Sequence, residues 1–161
     1  MHSYVINLAD ADERWRFMQK QLDRIKIPYT RLEGILGKEL TLPHHNYNEN
    51  KYRILHGKKT NMGELGCFFS HIKALKTFLN SGASHAMILE DDIKLPANLI
   101  GLIQEALEYA QFWNLLRLTS FTRGEHLCFA KLSSGFSLSY NLKVLKNTGA
   151  YIVDRHGATC I

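Results

Sequence analysis

The chain alternates between short, continuous apolar stretches and longer segments in which apolar residues recur every three or four positions. The continuous stretches are typical of buried strands, and they predict strands at residues 3–8, 29–35, 86–89, 115–120 and 148–153. The three-to-four spacing between them predicts amphipathic helices. Strands that alternate with helices in this way indicate an α/β domain with a largely parallel sheet flanked by helices.

Local signals place the starts of three helices. Asp10 is expected to cap the first helix, with Glu13 three residues later in capping-box spacing. Asn61 precedes the second helix, with Glu64 in the same spacing. Pro96 is expected at the first position of the third, which is predicted to run to about residue 112. The apolar face of the first helix comprises Trp15, Met18, Leu22 and Ile25.

Three segments do not fit this strand-helix alternation. Residues 37–60 are rich in Gly, Asn, His and Lys and predict a long, mobile loop that orders around a substrate. Residues 125–140 predict a hairpin, and residues 155–158 predict the first turn of a helix. Because a domain seldom stops there, we expect a single domain over residues 1–161 that lacks a C-terminal portion.

Composition narrows the class of protein. The 161 residues are 45% hydrophobic and 22% charged, which excludes disordered, collagen-like and coiled-coil chains. The chain has three cysteines, an odd number, and they lie far apart in sequence: Cys67, Cys128 and Cys160. Reduced thiols are therefore expected, with Cys67 as a small buried hydrophobe. No apolar stretch reaches the roughly 20 residues of a membrane span, and no secretion signal is recognisable. These features predict a cytoplasmic protein.

The positive charge is concentrated in the first part of the chain. Of the net charge of +5, residues 1–60 carry +4, from 11 Lys/Arg and 7 Asp/Glu. An excess of positive charge of this kind could bind phosphates, anionic lipid or nucleic acid. The alternative is that these residues form an ordinary solvated surface. Nucleic acid is disfavoured because no recognised binding motif accompanies the charge.

The strongest chemical signal is a run of three carboxylates directly after a buried strand. Glu90, Asp91 and Asp92 repel one another, and ligands bind at the carboxyl ends of strands in open α/β sheets. Oxygen ligands of this kind suit Mg²⁺ or Mn²⁺. Strand alternation puts Glu90 and Asp92 on one side, so these two are the predicted metal ligands. The alternative is an acidic turn in which Asp92 caps the following segment.

Two further groups of polar residues are candidates. Gly63 and Gly66 allow close approach at a helix start, and Ser70 and His71 are polar within an apolar helix, where His71 is either a ligand-contacting group or a satisfied core histidine. Asn7 ends the first strand, and an arginine on the following helix, Arg14, could pair with phosphate. The alternative for this pair is a turn asparagine with a surface arginine.

These motifs, taken in order, resemble glycosyltransferase family 25. The resemblance lies in Val-Ile-Asn-Leu at residues 5–8 followed by Glu13 and Arg14, and in Gly34 of the second strand region. It continues in Gly-x-x-Gly-Cys-x-x-Ser-His at residues 63–71, Ile-Leu-Glu-Asp-Asp at 88–92 and Ala-Tyr-Ile at 150–152. The blocks cover nearly the whole chain, and together they are specific.

The resemblance implies a GT-A-like, Rossmann-type fold and an inverting transfer of a hexose, commonly galactose from UDP-galactose. It implies a divalent cation, Mn²⁺ or Mg²⁺, at the DxD-like acidic triplet, held by Asp92 with Glu90. An inverting reaction needs one general base, and no residue can be named as that base. The donor-binding residues it implies are Asn7, Leu8, Arg14, Gly63, Gly66, Ser70, His71, Glu90 and Asp91.

Two positions depart from the family pattern. Many members have Trp-Asp-Leu where this chain has Asn114 between Trp113 and Leu115. Asp154 stands where the family often has serine, and it is not assigned as a base. If the family aspartate serves folding or donor binding, its replacement by Asn114 weakens that role.

Two functional hypotheses follow. The favoured one is a bacterial galactosyltransferase that extends a lipooligosaccharide acceptor, with its basic N-terminal half touching the cytoplasmic face of the anionic inner membrane. The alternative is a catalytically silent or truncated family member that serves as a binding or interaction module. A phosphotransfer domain is disfavoured, since no further aspartate and lysine match that chemistry. Metal-dependent binding of UDP separates a competent donor site from a decayed one.

Overall fold

A five-stranded sheet forms the centre of the molecule in the computed structural model, which describes residues 1–120, 124–143 and 147–161. Helices pack on both of its faces, and a separate hairpin lies beside it. The strands are β1 (His2–Asn7), β2 (Tyr29–Glu33), β3 (His85–Glu90), β4 (Leu115–Arg117), β5 (His126–Lys131), β6 (Ser137–Asn141) and β7 (Ala150–Asp154). The helices are α1 (Asp12–Ile25), α2 (Glu49–His56), α3 (Met62–Asn80), α4 (Leu99–Leu107) and α5 (Arg155–Cys160).

The strand order of the central sheet is β2-β1-β3-β7-β4. β1 pairs in parallel with both β2 and β3, whereas β7 runs antiparallel to β3 and β4. Four strands therefore point one way and β7 points the other. The prediction of an α/β fold with a mostly parallel sheet is confirmed. The hairpin predicted at residues 125–140 is also present, as the two-stranded sheet of β5 and β6.

Strand alternation divides the core between the two faces of the sheet. From β3, Met87 and Leu89 point toward α1 and α4, where they pack with Met18 and Leu22 of α1. The alternating residues Ala86 and Ile88 point the other way, toward α3 and α5. Successive side chains of a strand point to opposite faces of the sheet, and the same alternation assigns a face to each residue that continues β3.

The predicted start of α3 agrees with the structure, and the predicted start of α1 does not. The Asn61 side chain accepts hydrogen bonds from the backbone N–H groups of Gly63 and Glu64, as an N-cap should. The N-cap of α1 is Ala11, which makes no side-chain capping bond, so the assignment to Asp10 is wrong. The Ala11 N–H bonds the Leu8 carbonyl at 3.1 Å, and this turn places Asp10 one residue before the helix.

Two other boundaries also differ from the predictions. Residues 37–60 contain the 3₁₀ turn Gly37–Glu39 and the helix α2, so they are not a loop throughout. None of the residues of α2 is buried, and it therefore lacks the core-facing stripe that would have marked it. α4 begins at Leu99, because Pro96 lies in a preceding turn closed by the Leu99 N–H. No helix among the described residues is long and apolar enough to cross a membrane.

Candidate active site

A cleft of about 270 Å³ lies at the edge of the sheet where β1 and β3 end side by side. In that pairing Ile6 is opposite Glu90, so the polar residues that follow both strands meet at one edge. The cleft takes in most of the residues that the sequence singled out. Its lining consists of Ile6, Leu8, Arg14, Ile35, Leu36, Gly37, Gly63, Cys67, Ser70, His71, Glu90, Asp91 and Asp92.

Glu90 continues the α3 face of β3, and its Oε1 atom is the centre of a small polar cluster. His71 Nε2 lies 3.1 Å from this oxygen, and the Thr148 hydroxyl donates to it at 3.0 Å. The Cys67 thiol lies 3.8 Å away. The hydrogen bond from His71 holds the pKa of Glu90 below its usual range, although burial opposes the shift.

The thiol in this cluster has the opposite tendency. Burial, followed by the charge of Glu90, raises the pKa of Cys67 to about 11. Cys67 is nevertheless an exposed residue that lines the cleft, so its prediction as a buried hydrophobe is wrong. The reason is its position on α3, one turn before His71 and on the side facing the end of β3.

Asp91 continues the opposite face of β3, toward α1, and is only 5% exposed. It accepts a hydrogen bond of 2.5 Å from Asn7 Nδ2 and pairs with Arg14 at 3.2 Å. Burial raises the pKa of Asp91 even though Asn7 and Arg14 both favour its charged form. The effect of burial on the pKa of Asp91 is thus larger than the opposing effect of Asn7 and Arg14. Asp91 is already engaged within the protein, and it orients the half-exposed guanidinium of Arg14 beside the cleft.

Asn7 does not line the cleft but lies behind it, almost fully buried. Its amide nitrogen donates to both the Ala11 carbonyl and Asp91, and since both partners are acceptors the orientation of the amide is fixed. Its Oδ1 atom is buried without a hydrogen-bond partner in the described part of the chain. Asn7 therefore positions Asp91 and the start of α1.

Gly66 and Ser70 build the wall of the cleft. A Cβ on Gly66 would lie 2.5 Å from the Ile35 carbonyl oxygen, so the segment after β2 fits against α3 only because residue 66 has no side chain. Ser70 Oγ accepts from the Ile35 N–H at 2.7 Å and donates to the Gly66 carbonyl at 2.7 Å. Gly66 lies outside the cleft lining, whereas Gly63 and Ser70 belong to it.

Asp92 follows the strand and is exposed at the cleft. Among the three carboxylates it differs from Glu90 and Asp91, each of which has close partners from other elements. An exposed carboxylate at this position can meet a ligand without first breaking a buried contact.

The sequence interpretation missed two residues of the Glu90 cluster. Thr148 precedes β7 and reaches Glu90 across 58 positions of sequence. The Tyr151 hydroxyl lies 3.1 Å from His71 Nδ1, and burial raises the pKa of this tyrosine. Tyr151 belongs to the Ala-Tyr-Ile block, which was the one signal that pointed to it, without indicating a role.

A second cavity of about 240 Å³ lies between α4, β7 and the hairpin. Its walls are mostly leucine and isoleucine side chains, and no group of carboxylates, histidines or cysteines converges on it in the described residues. The cleft at the ends of β1 and β3 is the candidate active site because the three carboxylates meet Arg14 and His71 there.

Residues 1–159 match the family described as glycosyltransferase family 25 (LPS biosynthesis protein). The lipooligosaccharide biosynthesis protein lic2B of Haemophilus influenzae is 33% identical over 100 residues, which cover 61% of this chain and 36% of that protein. Procollagen galactosyltransferase 1-B of Xenopus laevis is 28% identical over 98 residues, which cover 56% of this chain and 16% of that protein.

Another relative, the probable inactive glycosyltransferase 25 family member 3 of Bos taurus, is 27% identical over 131 residues, covering 71% of this chain and 21% of that protein. A Drosophila melanogaster family member is 29% identical over 68% of this chain and 19% of its own length. The chain thus spans only about a sixth to a third of the length of these relatives. The family match over nearly all residues, together with the fold, means that this chain belongs to glycosyltransferase family 25.

Proposed function

We propose that this chain carries the nucleotide-sugar site of an inverting glycosyltransferase that moves galactose from UDP-galactose to a lipooligosaccharide acceptor. The observation that carries the proposal is the convergence of Asp92, Glu90 and Arg14 on one cleft at the carboxyl ends of parallel strands. The names of the Haemophilus and Xenopus relatives support the acceptor class and the sugar respectively.

A divalent cation, Mn²⁺ or Mg²⁺, would be held in this cleft by Asp92 and Glu90. Asp92 offers an exposed carboxylate, and all the hydrogen bonds described for Glu90 fall on Oε1. Hard cations of this kind bind one or two protein carboxylates together with substrate phosphates. When bound, the cation would neutralise charge on the departing diphosphate as a Lewis acid.

The protein's own contribution to donor binding would come from Arg14 and the backbone around it. Asp91 holds the Arg14 guanidinium in place, so a donor phosphate beside Arg14 would meet an already oriented guanidinium. Leu8 and Gly63 line the cleft on either side and would contact the nucleoside or sugar. An inverting transfer also needs a base that takes the acceptor hydroxyl proton, and we assign none.

The alternative function is that of a silent binding module. It is supported by the bovine relative, whose name describes it as probably inactive and which matches a large part of this chain. The intact acidic triplet supports the active form instead.

Calorimetric titration of UDP and UDP-galactose, with and without Mn²⁺, tests the proposal. We expect metal-dependent binding to the native protein, loss of that binding in Asp92→Ala, and no change in Asp10→Ala, which removes an exposed aspartate outside the cleft. Binding that ignores Mn²⁺ would refute the metal role. Absence of binding in the native protein would refute the donor site and favour the silent module.

We also propose that α2 touches the cytoplasmic face of an anionic membrane, where a lipid-linked acceptor would be found. Ile54 and Leu55 are 81% and 67% exposed, and three basic side chains lie within or close to the same helix besides Lys58, which pairs with Glu64. An exposed apolar pair among cations favours an anionic lipid surface. The basic residues are Lys51, Arg53 and Lys59.

Co-sedimentation with vesicles containing phosphatidylglycerol tests this contact. Ile54→Asp should release the protein from these vesicles, while Leu127→Asp, at a comparably exposed leucine on β5, should not. Equal binding to neutral phosphatidylcholine vesicles would contradict the role of charge.

A further inference from the structure

Cys67, His71 and Glu90 bring one sulfur, one nitrogen and one oxygen ligand together at the side of the cleft. One potential ligand atom from each residue lies within 4.8 Å of the other two. The separations are 3.1 Å between His71 Nε2 and Glu90 Oε1 and 3.8 Å between Cys67 Sγ and the same oxygen. Around a tetrahedral zinc ion with bonds of about 2.0–2.3 Å, neighbouring ligand atoms are roughly 3.3–3.7 Å apart. The two separations lie just outside this range, and the sulfur and nitrogen atoms are at most 4.8 Å apart, so a small adjustment of the side chains brings all three atoms to zinc-ligand spacing.

The positions of the ligands make this spacing rigid. Cys67 and His71 are four residues apart on α3, so one turn of a long helix presents both on the same side. Glu90 is the last residue of β3, a strand bonded to neighbours on both edges. A site held by a helix and a central strand needs little rearrangement to accept an ion.

Tyr151 supplies the outer contact that a ligating histidine needs. To bind a metal through Nε2, His71 must carry its proton on Nδ1, which lies 3.1 Å from the Tyr151 hydroxyl. A hydroxyl can both donate and accept, so Tyr151 can stay bonded to His71 in either tautomer.

We propose that Cys67, His71 and Glu90 form a binding site for a thiophilic divalent cation, with Zn²⁺ as the best match. The mixed sulfur, nitrogen and oxygen set is one that zinc accepts and that Mg²⁺ and Mn²⁺ do not prefer. All three residues line the cleft, so an ion bound by them could be reached from the cleft, and three protein ligands would leave one position of a tetrahedral site for water or a ligand. The site shares Glu90 with the proposed donor site but does not depend on that proposal.

Cobalt is a suitable probe, because Co²⁺ bound by a thiolate absorbs in the near ultraviolet and a tetrahedral Co²⁺ also absorbs in the visible. The experiment titrates the reduced full chain with Co²⁺ in the absence of nucleotide and then displaces the cobalt with Zn²⁺. We expect a 1:1 complex with both absorption features, which Zn²⁺ abolishes. No absorption change at millimolar Co²⁺ would overturn the proposal.

The chain offers a matched control for the ligands. Cys160 and His156 have the same four-residue spacing on α5, with sulfur and nitrogen 3.9 Å apart, but no carboxylate of residues 1–120, 124–143 or 147–161 completes a group of three there. Cys67→Ser should abolish the thiolate band, and Cys160→Ser should leave it unchanged. The reverse result would place the metal on α5 and overturn the proposal.

Two more variants keep the test decisive. Tyr151→Phe should weaken Co²⁺ binding by roughly 10–100-fold, the usual cost of losing an outer-shell partner, while the band itself persists; unchanged affinity would contradict the role of Tyr151. If Cys67→Ser fails to fold by circular dichroism, Glu90→Gln serves in its place: because Cys67 remains, the thiolate band should persist while the affinity for Co²⁺ falls, and unchanged affinity would overturn the proposal. Asp92→Ala should retain the cobalt band even where it loses Mn²⁺-dependent UDP binding, so the two proposals can fail separately.

Discussion

Gly66 controls how closely α3 approaches the segment that follows β2. The Ile35 carbonyl oxygen and the Gly37 nitrogen would lie 2.5 and 2.6 Å from a Cβ at this position, and both are backbone atoms that cannot rotate away. Ile35 and Gly37 also line the cleft. The requirement for glycine is therefore steric and is connected directly to the shape of the site.

Gly66→Ala should lower the free energy of unfolding by about 1–3 kcal/mol, as overpacking does, and weaken nucleotide binding as the cleft wall moves. Gly101→Ala is the matched control, because Gly101 is helical and nothing lies within 4 Å of its added methyl group. That variant should gain about 0.4–1 kcal/mol from reduced chain entropy. Urea unfolding measures both, and equal effects at the two glycines would contradict the steric argument.

The two departures from the family pattern contact each other. Asn114 Nδ2 donates to Asp154 Oδ2 at 2.8 Å, and Asp154 Oδ1 caps α5 by accepting from the Gly157 N–H at 2.6 Å. The aspartate and serine that the family resemblance gives for these two positions would offer the same contact with donor and acceptor exchanged, and serine also caps helices well. On the pattern that the resemblance gives, the two differences compensate each other, so we expect asparagine at position 114 to cost the fold no contact.

Asn114→Asp alone should destabilise the protein by about 0.5–1 kcal/mol, because an exposed carboxylate would then face the half-buried carboxylate of Asp154. Combining it with Asp154→Ser should recover that loss, since a hydroxyl can donate to the new carboxylate. Thermal unfolding is measured for the native protein, both single variants and the double variant. These four values give the coupling free energy between the two positions. Additive effects would contradict the coupling.

At the scale of elements, α3 connects the cleft to the rest of the fold. Its first turn is capped by Asn61, its middle presents Cys67 and His71 to Glu90, and its later turns pack Phe78 under the sheet. The segment before it, residues 37–60, contains α2 and starts at the cleft with Gly37. A ligand in the cleft would therefore contact one end of a segment that makes few buried contacts.

Binding of UDP with Mn²⁺ should slow tryptic cleavage within residues 37–60, which include exposed Lys51, Arg53 and Lys59. The expected reason is that local opening becomes less frequent when a ligand binds only the closed form. Mass spectrometry of the early fragments measures the rate at each site. Cleavage after Lys131, in the distant hairpin, should be unaffected, and equal protection everywhere would indicate global stabilisation instead.

At the scale of the whole molecule, one sheet joins two separate apolar clusters. Phe78 is fully buried on the α3 face, whereas Trp15 and Trp113 belong to the cluster on the α1 face. Because the strands β1, β3 and β7 contribute side chains to both clusters, loss of packing on one face should weaken the other.

Phe78→Ala should cost about 3–5 kcal/mol, a large fraction of the roughly 5–15 kcal/mol that typically stabilises a domain. Trp15 and Trp113 lie on the opposite face, so their fluorescence follows the unfolding of that face. If its urea midpoint falls by the amount expected for Phe78→Ala, the two faces unfold cooperatively. Phe136→Ala, at a phenylalanine that is 58% exposed, should change the midpoint little. A fluorescence midpoint that stays fixed in Phe78→Ala would mean that the two faces unfold independently.

Local patterns determined much of this architecture. The apolar runs and the period of two identified the strands of the central sheet and put Glu90 and Asp91 on opposite faces, and the Asn61 cap located the start of α3. These features depend on neighbours within a few positions, so the sequence contains them. Local patterns failed at two places. They did not reveal α2, because this helix has no buried apolar stripe. They also misplaced the start of α1, because the turn after β1 puts Asp10 one residue before the helix.

The tertiary structure alone decided which polar groups meet. Glu90 finds His71 19 positions earlier and Thr148 58 positions later, and no spacing rule connects residues so distant. Its partner set arises because α3 crosses the sheet beside β3 and because β7 inserts antiparallel next to the same strand. The sequence thus determined that carboxylates stand at this edge of the sheet. Packing decided that Glu90 joins a thiol and an imidazole, that Asp91 is buried against Asn7 and Arg14, and that Asp92 is left exposed to the cleft.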